Sequence, residues 1–154
     1  MFDSFLNYCV QLPDVTPIKN NPLPKDFHKD FISKEDLCRN IFKQRYNIIM
    51  QKKRPPILKF DSTKGRLEFD GYNENIITSI GKGLAFEYNG PQHYNINYGN
   101  KYKKSELARI MRYDKLKVDL CKDKKIALIT IPYTVKKENI ACYIHKEIKK
   151  FFNI

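Results

Sequence analysis

An acidic residue inside an apolar strand pattern is costly to bury, and this sequence places one in each of two neighbouring stretches. In "RLEFDGY" a period of two sets Leu67 and Phe69 on one face and Glu68 and Asp70 on the other. In "LAFEYN" the same period sets Leu84, Phe86 and Tyr88 against Ala85, Glu87 and Asn89. If these stretches pair as neighbouring strands, Asp70 and Glu87 converge at one end of a sheet. Two carboxylates brought together in apolar surroundings raise each other's pKa unless a cation lies between them. A hard divalent cation with oxygen ligands, Mg2+ or Mn2+, resolves that conflict. Glu68 reads differently, as a solvated acid or one paired with a lysine.

The Glu87 strand breaks at Gly90-Pro91 and then presents Gln92 and His93. A neutral imidazole there can take a proton from water or give one to a leaving group near neutral pH. Gln92 can offer a carbonyl to a metal or an amide to a phosphate. Further on, a helical stripe runs Leu107, Ile110, Met111, Asp114, Lys117, Val118, Cys121, so that a charged pair interrupts the face expected to be buried. Two readings of Asp114 and Lys117 stand side by side. They are an ion pair at the rim of the core, or they orient a catalytic group or hold a DNA phosphate.

The elements that must position these residues follow from the same patterns. Residues 1–30 hold Pro13, Pro17, Pro22 and Pro24, half of the eight prolines, which predicts an extended arm preceding a domain over 31–154. "SKEDLCRNIFKQRYNIIM" opens with an N-cap serine and two acids in the first turn, then turns amphipathic, predicting a helix. "RPPILKF", "GRLEFDGYN" and "GLAFEYN" predict three short strands. A polar, aromatic and basic loop, "NGPQHYNINYGNKYKK", leads to a helix over "KSELARIMRYDKLKVDLCKD". A buried strand over "KIALITIPY" and a closing amphipathic helix over "KKENIACYIHKEIKKFF" complete the order α-β-β-β-α-β-α.

Length and composition bound the function. The 154 residues suit one domain with its own core. With 29 Lys and Arg against 17 Asp and Glu, the formal charge of +12 favours a polyanion such as nucleic acid as partner. Arg54, Lys101, Lys103 and Lys104, with Tyr94, Tyr98 and Tyr102 in the long loop, are the candidate nucleic-acid contacts. Cys9, Cys38, Cys121 and Cys142 are widely spaced, which argues against a structural zinc site, and the last three fall in apolar-periodic segments as core residues. No apolar run approaches a membrane span and no leader pattern opens the chain, so an intracellular, reducing setting without membrane contact is expected.

Taken together, an acid on the first helix, an Asp on the second strand, a Glu on the third and the series "LEFDGYN…LAFEYNGPQH…YDKLKVDLC…IALITIPY" resemble the PD-(D/E)xK, or restriction-endonuclease-like, nuclease superfamily. Within it they resemble the branch of the very short patch repair endonucleases, their homing-endonuclease relatives and small proteins with an E-L-D-G-x-x-H pattern. The likeness covers about residues 33–133 and implies an αβββαβ core with a central mixed sheet flanked by helices, plus a C-terminal helix. It implies Asp70, Glu87 and the acid of the first helix, Glu35 or Asp36 in its place, as the acids that bind Mg2+ or Mn2+. His93 matches the histidine of the short motif, and Asp114 and Lys117 match the acidic and basic positions of the following helix.

Activity as a DNA endonuclease of a mobile element or virus follows from the resemblance. Cutting both strands of a duplex requires two sites, so a homodimer or higher homo-oligomer is expected. The sequence departs from the motif at Asn89, where the common form has lysine and the E-L-D-G pattern has Asp. Charge neutralisation would then fall to the metal, Lys117 or Gln92. Two other readings compete: a nuclease fold that binds DNA without cutting it, and a basic protein that packs RNA.

Overall fold

A computed structural model describes residues 20–31, 33–59, 67–94 and 104–152. The predicted arm falls largely on residues 1–19, outside the described residues, as do Cys9, Tyr98, Lys101, Tyr102 and Lys103. The end of the arm that is described leads without regular structure into a 3-10 turn at Phe27–Asp30, and Leu23, Phe27 and Phe31 pack against the core.

Helix α1 spans Lys34–Tyr46. Its N-cap is Ser33, whose hydroxyl accepts a hydrogen bond from the Asp36 N–H, and Asn47 in the left-handed region ends it. Strands β1 (Gln51–Lys53), β2 (Phe69–Ile77), β3 (Lys82–Asn89) and β4 (Ala127–Pro132) form one sheet in the order β1-β2-β3-β4. β1, β2 and β3 are antiparallel neighbours, and β4 lies parallel to β3, so the sheet is mixed. A parallel neighbour needs a crossover, and helix α2 (Lys104–Asp123) provides it. Helix α3 (Ile140–Ile148) closes the chain after a 3-10 turn at Lys137–Asn139. The expected α-β-β-β-α-β-α order and mixed α/β architecture are what the chain adopts.

Two apolar clusters divide the sheet's faces. On one face Leu37, Ile41 and Phe42 of α1 and Ile140, Ile144 and Ile148 of α3 pack on Leu84, Phe86, Ile129 and Ile131. On the other, Phe69, Tyr72 and Ala85 meet Cys121 near the end of α2 and Ile126 just before β4. Gly71 ties the two strands that carry the acids. A side chain there would stand 2.0 Å from the Phe86 ring, which lies across β2 and stacks on Phe42 with centroids 5.3 Å apart.

Three expectations need correction. The first strand is Gln51–Lys53 and not residues 54–60, because Pro55 and Pro56 have no N–H for the ladder and Pro56–Leu58 coils into a 3-10 turn. Cys142 is exposed, since α3 turns Ile140, Ala141, Ile144 and Ile148 inward and leaves 142 on the outer face; Cys38 and Cys121 are buried as expected. On α2 the inward line is narrower than the stripe read from sequence: Met111 (56% exposed) and Val118 (41%) flank it in solvent, and among the helix's described residues only Cys121 is fully buried.

Candidate active site

The antiparallel ladder of β2 and β3 sets Gly71 opposite Phe86, Tyr72 opposite Ala85 and Asn73 opposite Leu84. One step further, the same register puts Asp70 opposite Glu87, as the strand patterns predict. Here the ladder opens. The Asp70 side chain takes the Tyr88 N–H at 2.8 Å, while its backbone carbonyl accepts from Arg39 of α1 at 2.7 Å. The acid is thus held from both sides, by β3 and by α1.

Glu87 is buried, 7% exposed, on the face turned to α2. One carboxylate oxygen, Oε2, accepts from the Lys117 ammonium at 3.0 Å, and the other, Oε1, is buried with no hydrogen-bond partner among the described residues. Burial pushes the pKa of Glu87 up to about 8 against the pull of Lys117, with Asp70 adding to the rise. Burial also raises Asp70 above the ordinary carboxylate range, opposed by the Tyr88 N–H.

A cleft of about 260 Å³ opens over these groups, lined by Glu35, Glu68, Asp70, Glu87, Gln92, His93, Asp114 and Lys117. The structure therefore gathers Glu35, Asp70, Glu87, Gln92, His93, Asp114 and Lys117 at one place from five elements. Asp114 and Lys117 do not pair with each other. Lys117 turns to Glu87, and Asp114 Oδ2 lies 2.6 Å from His93 Nδ1. One helical turn thus serves two partners, because residues three apart share a helix face.

Pro91–His93 forms a single 3-10 turn, fixed by the His93 N–H donating to the Gly90 carbonyl. Gly90 has an ordinary extended backbone, so its φ does not require glycine. A Cβ at Gly90 would instead crowd the end of the Gln92 side chain and displace that flexible carboxamide. The Gln92 carboxamide folds back into the room that the glycine leaves.

The rim is an ion network. Glu35 lies 3.2 Å from Lys52 and 3.8 Å from Arg39, whereas Asp36 is more exposed and bonds Arg39, so Glu35 is the α1 acid that lines the cleft. Glu68 pairs with Arg54 at 3.1 Å and Lys52 at 3.5 Å, in line with its reading as a paired acid. Of the candidate nucleic-acid contacts that are described, Arg54 stands at this rim, Tyr94 is exposed beside His93, and Lys104 is exposed at the start of α2. Sequence reasoning missed Arg39 and Lys52. The signal for Arg39 was present in its i, i+3 and i, i+4 spacing to Asp36 and Glu35.

The donor set suits a hard cation in part. Among the described residues no three of His, Cys, Asp and Glu stand close enough together to hold a metal. Asp70 and Glu87 are neighbouring carboxylates, with Glu87 Oε1 unbonded among the described residues, and Mg2+ is commonly held by one or two carboxylates with water and phosphate oxygens completing its shell.

Two proteins of invertebrate iridescent viruses are similar to the chain. "Uncharacterized protein 033L" of Invertebrate iridescent virus 3 is 32% identical over 113 residues, covering 73% of this chain and 55% of that protein. "Uncharacterized protein 307L" of Invertebrate iridescent virus 6 is 31% identical over 131 residues, covering 75% of this chain and 62% of that protein. The chain thus spans between about half and three-fifths of these curated relatives. No family model matches the chain, and no solved structure does. Among the described residues, no helix is long and apolar enough to cross a membrane.

Proposed function

We propose that this protein is a metal-dependent DNA endonuclease of the PD-(D/E)xK kind, with a restriction-endonuclease-like core. The observation that carries the reading is Glu87: a buried carboxylate beside Asp70, with one oxygen on Lys117 and the other without a partner among the described residues. A buried acid left half satisfied costs stability, which is the mark of a group kept for chemistry. Asp70 and Glu87 would hold Mg2+ or Mn2+, which supplies Lewis acidity toward the phosphate and makes water more acidic.

The remaining work falls to the chain's own groups. Lys117 places an ammonium at Glu87, where the usual motif would carry its lysine on the strand, and offsets negative charge as the phosphodiester is attacked. Asp114 accepts a hydrogen bond from His93 Nδ1, leaving Nε2 as the nitrogen that takes or gives the proton. Gln92, held against Gly90, offers an amide to a phosphate oxygen. DNA is the partner that the +12 charge favours, and similarity to two iridescent-virus proteins supports a viral setting. A homo-oligomer would supply the second site that a double-strand cut needs.

One observation favours the non-cutting alternative. Asn89 stands at the motif's lysine position, and its buried Oδ1 has no partner among the described residues. Supercoiled, linear and branched DNA incubated with the protein in Mg2+, Mn2+ or EDTA decides between the two readings. Cleavage that needs metal and disappears in Glu87→Gln supports the nuclease. DNA binding with no cleavage in either metal selects the non-cutting alternative.

A further inference from the structure

Of the large apolar side chains that stand exposed among the described residues, two are aromatic, Tyr94 (51%) and Tyr133 (39%), and these two meet. Their ring centroids lie 5.6 Å apart at 41°. Tyr94 directly follows His93, with centroids 6.5 Å apart, so Tyr94 links Tyr133 to a histidine that lines the cleft. The backbone is pinned at both tyrosines. The Tyr94 N–H donates to the Pro91 carbonyl at 3.0 Å and the Tyr133 N–H to the Asn89 carbonyl at 2.9 Å. Both tyrosines follow the carboxyl ends of the parallel pair β3 and β4, Tyr94 through the turn that carries Gln92 and His93 of the cleft.

We propose that Tyr94 and Tyr133 form a stacking shelf for a nucleobase that lies outside a duplex, so that the site takes DNA with unpaired nucleotides beside the scissile phosphate. The shelf deepens the nuclease reading and rests on it for the scissile bond. A base within a duplex has both faces covered by its neighbours. An exposed tyrosine face therefore gains from stacking only with a base that has left the stack or was never in one. The +12 charge selects a polyanionic strand over a protein as the source of the aromatic face. The two half-exposed rings offer roughly 200 Å² between them. A stable protein partner covers about 800 Å² on each side, so the shelf suits a base far better than a protein.

The test uses the full chain in EDTA, so that binding is read without cleavage. Fluorescence anisotropy compares a labelled single strand, a blunt duplex and a duplex with a single-stranded tail, using wild type, Tyr94→Leu, Tyr133→Leu and Tyr133→Phe. The wild type is expected to prefer the single strand and the tailed duplex. Each Leu variant should lose roughly five- to a hundredfold in affinity for unpaired DNA, the range for one stacked base, with duplex binding unchanged. Tyr133→Phe keeps the ring and should bind as wild type does. A 2-aminopurine base in the single strand should be quenched on binding to the wild type, a readout that needs no variant to fold.

Equal affinity for blunt duplex and single strand, absence of quenching, or well-folded Leu variants that bind the single strand as wild type does would each overturn the shelf. The same substrates in Mg2+ and Mn2+ test the nuclease separately. Shelf binding without cleavage of any of them removes the nuclease reading and leaves the shelf standing.

Discussion

Two acid pairs line the same cleft, each with a lysine, and they behave in opposite ways. At the floor, Glu87 bonds Lys117 and Asp70 feels its charge; at the rim, Glu35 and Glu68 both pair with Lys52. The rim is half in water. Burial there works against ionisation of Glu68, but the hydrogen bond from Arg54 and the charge of Lys52 outweigh it, so the pKa falls below the ordinary value. Lys52 is raised in turn by its bond to Glu35. At the floor burial wins, and both acids rise despite the ammonium beside them. The same residue types thus make a self-satisfied network at the rim and, among the described residues, a half-satisfied one at the floor, and it is at the floor that the proposed function puts its cation.

Removing the floor carboxylate breaks the comparison most sharply. Glu87→Gln should lower metal-dependent cleavage by about a thousandfold or more, the scale of losing a main transition-state stabiliser, while DNA affinity in EDTA is retained. Stability should separate the same two proteins. Because the pKa of Glu87 rises from 4.5 to about 8 on folding, the folded chain keeps a proton that the unfolded chain releases across that range. Its contribution is therefore complete below about pH 4.5 and is lost as pH climbs through about 8. Each tenfold difference in proton affinity is about 1.4 kcal/mol, so the effect amounts to a few kcal/mol. Thermal melts without metal should show wild type weakening over this window and Glu87→Gln staying flatter. Mg2+ should restore the wild type at pH 8 and leave the variant unmoved.

The dyad comes next. His93→Ala should slow cleavage by about 10²–10⁴-fold, and Asp114→Asn by about 10–100-fold, since Asp114 acts by orienting the ring. Single-turnover rates at saturating DNA would show it; a His93→Ala enzyme as fast as wild type would remove His93 from the proton path. A subtler change is Gly90→Ala, which the extended backbone accepts and which displaces only the flexible Gln92 carboxamide. About a tenfold loss of rate at unchanged melting temperature is expected. Combining it with Gln92→Ala should cost no more than Gln92→Ala alone, as a double-mutant cycle would read.

The rim should respond least. Lys52→Met or Glu68→Gln is expected to change stability by less than about 1 kcal/mol and cleavage by only a few-fold, because exposed ion pairs contribute little. A rim variant as damaging as Glu87→Gln would erase the distinction between floor and rim.

Much of this was legible in the sequence, and the reasons differ by residue. Ser33 and its following acids mark the start of α1 through local capping chemistry, and the alternation in "LAFEYN" sorts β3 between core and cleft, so both could be read directly. The opposition of Asp70 and Glu87 followed once the strands were taken as neighbours. What escaped depends on tertiary partners. β1 was displaced because strand-like side chains follow the prolines, while the hydrogen bonds precede them. Met111 and Val118 were placed inward because α2 rests on the sheet along a narrow line, a width no periodicity reports. Lys52 joins Glu35 across 17 residues, and the packing of Gln92 on Gly90 shows only as a missing side chain.

The parallel pairing of β3 with β4 sets an order of events in folding. The hairpin of β2 and β3 is local in the chain, so Asp70 and Glu87 can meet early, before anything neutralises them. Lys117 lies 30 residues beyond Glu87, on a crossover helix whose position depends on β4 joining the sheet. Contacts that close long loops form late, because their entropy must be met first. In refolding experiments, hairpin signals should therefore return ahead of the docking of α2, and a nascent chain would carry both acids of the cleft well before the lysine that bonds one of them.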